Sequence, residues 1–153
     1  MNLYILRHGL ALNLSEANVS SDSDRPLAPM GRNDIRAMAR YLHKQGGGAD
    51  IILSSPMKRA WQTAEEAARI LQPKSGVAVF DPLSNYIAGS ALYRAIQEKA
   101  SQISDLVVVG HQPQLGEMVE HLLGNSVEIR PGGLVAIEIS DTAKPKLLWN
   151  KNP

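Results

Sequence analysis

Hydrophobic residues fall along this chain in two alternating textures, short unbroken runs and longer stripes with a 3.6-residue period. Residues 2–6, Asn-Leu-Tyr-Ile-Leu, run into Arg7-His8-Gly9, which reads as a buried strand over residues 1–6 ending in a polar turn. Between residues 31 and 45 the apolar positions Ile35, Met38, Ala39 and Leu42 recur at i, i+3, i+4 and i+7, the stripe of an amphipathic helix. Gly46-Gly47-Gly48 stops it. Residues 50–53 form a second strand. After it, Ser55 suits an N-cap and Pro56 the first position of a helix reaching about residue 71. That helix carries a face of small residues, Ala60, Ala64 and Ala67, ending at Leu71, which allows close packing on a sheet.

The alternation continues with a strand at 77–80, a weakly patterned helix at 90–102 and an unbroken aliphatic strand at 106–109. That last run suits a central position covered on both faces. A helix at 113–123 and closing strands at 134–139 and 146–149 complete the chain. Residues 10–30 show no periodicity and are rich in Asn, Ser, Asp and Pro; a structureless stretch of that length predicts a functional flap. The pattern as a whole predicts a three-layer α/β/α sandwich around a mostly parallel sheet, forming one domain over residues 1–153.

Composition narrows the function. With 16 Lys and Arg against 15 Asp and Glu, the formal charge is +1, which argues against a dedicated nucleic-acid or membrane-surface binder. The absence of cysteine excludes disulfides, thiolate metal sites and a Cys nucleophile. No apolar run reaches the roughly 18 residues of a membrane span. The chain opens directly on a strand, with no basic segment or small-residue cleavage site before it, so a cytoplasmic location is expected.

In open parallel sheets ligands bind beyond the carboxyl ends of the strands. Three polar segments follow strands here: Arg7-His8-Gly9, the run from Ser54 to Arg59, and Gly110-His111. They bring two arginines and two histidines to one sheet edge, where the natural guest for so much positive charge is a tetrahedral phosphate. A neutral imidazole can attack phosphorus and form a phosphoenzyme. Arg7, Arg59 and a protonated His111 would then hold the equatorial oxygens. This scheme requires no metal and no cofactor. His43 and His121 fall beside apolar helix stripes and read as structural or surface residues, and the triglycine lacks the Lys-Ser/Thr of a phosphate loop.

These segments, in this order and together with Gln62-Thr63-Ala64-Glu65, resemble the histidine phosphatase, or phosphoglycerate mutase-like, superfamily over residues 3–113. The short length, Asp24-Arg25-Pro26-Leu27 and Gly110-His111-Gln112-Pro113 resemble its small SixA-type phosphohistidine phosphatases. The resemblance implies that His8 is the phosphorylated nucleophile and that Arg7, Arg59 and His111 complete a phosphate pocket. Leu10 stands where many relatives carry an acidic residue, and Trp61 replaces a commoner polar one. Larger relatives that cleave esters use a carboxylic acid after the third strand, where Asp81 is the one candidate here. Asn13 and Arg25 are candidate substrate contacts. The expected activity is hydrolysis of phosphohistidine on a protein such as a phosphotransfer domain. The alternatives are a phosphomonoesterase acting on a small phosphorylated metabolite and a non-catalytic phosphate-recognition module.

Overall fold

A computed structural model describes residues 1–153. Six strands, β1 (Asn2–Arg7), β2 (Ile51–Ser54), β3 (Val77–Val79), β4 (Asp105–Gly110), β5 (Leu134–Glu138) and β6 (Lys146–Lys151), form one sheet in the order β3-β2-β4-β1-β5-β6. β3, β2, β4 and β1 are mutually parallel, and β5 runs antiparallel to both β1 and β6. Four helices pack on this sheet: α2 (Pro29–Lys44), α3 (Lys58–Leu71), α4 (Gly89–Lys99) and α5 (Gln114–Leu123). A short α1 (Leu14–Ala17) lies in the segment after β1. The fold is the three-layer, mostly parallel sandwich that the pattern predicts.

Strand alternation divides the interior into two cores. Leu3, Ile5, Leu106 and Val108 face α4 and α5, meeting Leu92, Ile96, Leu115 and Met118. Tyr4, Leu6, Val107 and Val109 face α2 and α3, meeting Ile35, Leu42, Ala60 and Ala64. β1 and β4 are thus buried on both faces, as their unbroken apolar runs require. Each fully buried Leu or Ile contributes about 1.5–3 kcal/mol. The buried alanines of α3 bring that helix, and Arg59 in its first turn, close to the strand ends.

The structure differs from the sequence pattern in four places. α3 starts at Lys58 with Met57 as N-cap, because the Ser55 hydroxyl accepts the Met57 N–H within a tight turn and does not cap the helix. α4 ends at Lys99 rather than 102. β6 extends two residues past Trp149. Finally, residues 10–30 are not structureless. Asn13 and Glu16 form a reciprocal capping box on α1, a 3-10 turn spans Asp22–Asp24, and an Ala11–Leu27 bridge closes the base of the loop. No helix is long and apolar enough to cross a membrane.

Candidate active site

Register places the chemistry. β4 lies between β1 and β2, with Arg7 opposite Gly110 and Ser54 opposite Val109. The next residues, His8, Ser55 and His111, therefore emerge side by side at the carboxyl edge. The His8 N–H donates to the Gly110 carbonyl at 3.0 Å, and the Ser55 N–H donates to that of Val109 at 3.0 Å. The His8 and His111 rings stand 5.2 Å apart. In the turn before β5, Gly132 N–H donates to the His8 carbonyl and the Gly133 carbonyl accepts from Arg7 N–H, fixing the backbone from the other side.

α3 delivers Arg59 and binds the loop carrying His8. Thr63, fully buried, accepts the Gly9 N–H at 3.0 Å and donates to the Arg59 carbonyl at 2.8 Å. One hydroxyl thus ties the loop carrying His8 to the first turn of the helix. Gln62 accepts the Leu27 N–H at 2.8 Å, which tethers the segment 10–30 to the same helix.

Arg7, His8, Arg59 and His111 line one cavity of about 450 Å³, together with Asp22, Arg25, Asn85 and Tyr86. The four residues singled out from the sequence are therefore brought together. Arg7 Nε, Arg59 Nε and His111 Nδ1 are buried and have no protein partner, and all three belong to residues that line this cavity. Unpaired buried polar atoms are costly, and the two arginine Nε–H groups among them are donors that suit an acceptor-rich guest. No three His, Asp or Glu side chains converge as a metal cage.

Both histidines are held neutral. Burial, helped by the guanidinium groups of Arg59 and Arg7, lowers the His8 pKa to about 4. Burial, with the neighbouring His8 and Arg59, lowers that of His111 to about 3. At neutral pH His111 is thus uncharged in the protein without a bound phosphoryl group. His8 Nδ1 lies 2.7 Å from the Gly9 carbonyl, an acceptor only, so Nδ1 carries the proton and Nε2 keeps its lone pair.

Arg25 lines the cavity as expected, but Asn13 and Asp81 do not. Asn13 is exposed and occupied in capping α1. Asp81 is exposed on a 3-10 turn and lines an adjoining groove of about 310 Å³ with Pro56, Met57 and Tyr86. The carboxylate that does reach the pocket is Asp22. Its Oδ2 accepts from Arg59 at 3.1 Å and its Oδ1 from Arg25 at 3.0 Å, while its carbonyl also accepts from Arg59. The hydrogen bond from Arg25 and the charge of Arg59 hold its carboxyl below the usual range. Its local partner Arg25 is three positions on, but the contact that brings Asp22 to the site is with Arg59, 37 positions away, which the sequence does not show. His43 and His121 are exposed, and His121 sits beside Tyr93.

Comparison with known proteins agrees with this geometry. Residues 3–84 match the family model of the histidine phosphatase superfamily (branch 1). The chain is 34% identical to an uncharacterised protein of Picosynechococcus sp. over 90% of this chain and 84% of that one. It is 27% identical to the phosphohistidine phosphatase SixA of Escherichia coli, over 100% of this chain and 94% of SixA. The structure of a SixA protein histidine phosphatase complexed with tungstate superposes with a TM-score of 0.86 at 26% identity, covering 98% of this chain and 96% of that one. The protein is a phosphatase of the SixA-like kind, and the chain belongs to the histidine phosphatase superfamily.

Proposed function

We propose that this protein hydrolyses phosphohistidine on a protein substrate, through a phosphoenzyme at His8. The phosphoryl group sits among Arg7, Arg25, Arg59 and His111. The SixA that superposes on this chain binds tungstate, a tetrahedral oxyanion of phosphate-like shape, which supports an oxyanion site here. The lone pair of His8 Nε2 attacks phosphorus in line, the P–N bond to the substrate imidazole breaks, and that imidazole leaves. Water then attacks phosphorus, the bond to His8 breaks, and inorganic phosphate departs.

The observation that carries the choice of substrate is Asp22, the only carboxylate lining the pocket. An alkoxide leaving from an ester needs a proton from a general acid. Asp22 is ionised and bonded to two guanidinium groups, so it has no proton to give. Asp81 lies outside the pocket. A phosphohistidine needs no such acid: its far ring nitrogen takes a proton from solvent, and transfer to His8 exchanges one P–N bond for another. Leu10 and Tyr86, 40% and 83% exposed at the cavity rim, offer a partner protein apolar contacts around its phosphorylated histidine.

The test is turnover of a phosphohistidine-bearing phosphotransfer protein against a panel of small phosphoesters, with chelator present, for the wild type and His8→Ala. The reading predicts protein turnover that survives the chelator and is lost in His8→Ala. Preference for a small ester, or phosphate binding without turnover of any substrate, contradicts it.

A further inference from the structure

Ser55 is wholly buried beside His111, with its hydroxyl oxygen 2.8 Å from His111 Nε2. Its surroundings allow the shared proton to be located. A hydroxyl has one proton to give and two lone pairs. The Ser55 oxygen already accepts the Met57 N–H at 3.2 Å, and the only acceptor in contact with it is His111 Nε2.

Two arrangements are open to the pair. If Nε2 carried the ring proton, Ser55 would accept twice and its own O–H would be buried without an acceptor. His111 Nδ1 would then be a buried lone pair without a donor. If Ser55 donates instead, Nε2 is satisfied, the Ser55 proton has its acceptor while the oxygen still accepts from Met57, and Nδ1 carries the ring proton, leaving one unpaired group where the other arrangement leaves a hydroxyl proton and a ring lone pair. Nδ1 is the buried ring atom that finds no protein partner, on a residue that lines the cavity with Arg7 and Arg59. Leaving a buried group unsatisfied costs about 1–3 kcal/mol, enough to decide between two tautomers of similar intrinsic stability.

We propose that Ser55 is a positioning residue that fixes His111 as the Nδ1–H tautomer, so that a neutral His111 donates a hydrogen bond to a phosphoryl oxygen. The neutral state of His111, held by burial and by His8, Arg59 and Arg7 around it, agrees with this. His111 then acts as an oxyanion donor, and binding of the phosphoryl group requires no proton uptake by it. The inference rests on the phosphoryl-oxygen role given to His111 above, but its test does not depend on which phosphorylated substrate is correct.

The experiment is 15N NMR of the histidine-labelled, phosphate-free protein at neutral pH. The wild type is expected to show His111 with a protonated, pyrrole-type Nδ1 and a pyridine-type Nε2. Ser55→Ala is expected to move the proton toward Nε2 and to lower kcat about 10- to 100-fold, while Ser55→Thr restores both. A wild-type His111 protonated on Nε2, or doubly protonated, overturns the proposal whatever the substrate. So does an unchanged tautomer and kcat in Ser55→Ala. If Ser55→Ala fails to fold, the wild-type and Ser55→Thr spectra decide alone.

Discussion

A histidine serves as a phosphoryl acceptor only while one ring nitrogen keeps its lone pair, and the surroundings of His8 maintain that state well below neutrality. The Gly9 carbonyl holds the proton on Nδ1, and burial with three nearby guanidinium groups opposes a second one. NMR titration of the phosphate-free protein should therefore place the His8 midpoint at about 4, and a midpoint near 6.5 would contradict the account. The same shifts link stability to pH. The unfolded chain binds protons at His8 and His111 from about pH 6.5 downward, whereas the folded one resists until about 4 and about 3. Stability consequently falls as pH drops through this window, by at most about 1.4 kcal/mol per pH unit for each histidine. Thermal melts from pH 7 to 4 should show the loss. At this scale the sequence singles out Arg7, His8, Arg59 and His111, which follow strands, and Arg25 in the loop leaving β1, and all five line one cavity. The sequence conceals Asp22 and Ser55, whose importance comes from partners far along the chain.

Among the elements, α2 and α3 form the joint that keeps the pocket in register. Glu66 is 2% exposed on α3 and accepts from Arg32 at 2.8 Å and from Arg36 at 2.9 Å, both on α2. Burial pushes its carboxyl up, but these two guanidinium groups outweigh that and hold it below the usual range. Gly31, in the first turn of α2, lies so close to the Leu10 carbonyl that any Cβ would overlap it. The exit of β1 and the start of α2 are thus in direct contact. Glu66→Ala leaves two half-buried arginines without their acceptor and is expected to lower unfolding free energy by about 2–4 kcal/mol in chemical denaturation. Its kcat should remain within a few-fold of wild type, because Glu66 does not line the pocket. No loss of stability would show that the joint contributes nothing. Helix stripes and apolar runs identified these elements to within a few residues. α3 starts two residues later than Ser55-Pro56 predicts, because the Ser55 hydroxyl is committed to Met57 and His111. The capping box of α1 was present as Asn13 and Glu16, but a four-residue helix has too little periodicity to show.

Across the whole molecule, two hydrophobic cores clamp a sheet whose three central strands end together, and the cavity lies on that edge. With both histidines neutral, Arg7, Arg25 and Arg59 face one ionised Asp22, leaving the pocket at a net charge of about +2, a match for a phosphoryl dianion. In the proposed reaction the strand ends hold His8 and His111 in place, and the segment carrying Asp22 and Arg25 adds one charge of each sign beside Arg59. The central claim is that phosphorus is bonded to His8 during turnover. Rapid acid-free quenching after mixing with 32P-phosphohistidine protein tests it most directly. The account predicts a transient label on His8 that is acid-labile and stable to base, and that is absent in His8→Ala. Label-free turnover in the wild type, or undiminished turnover in His8→Ala, would contradict it.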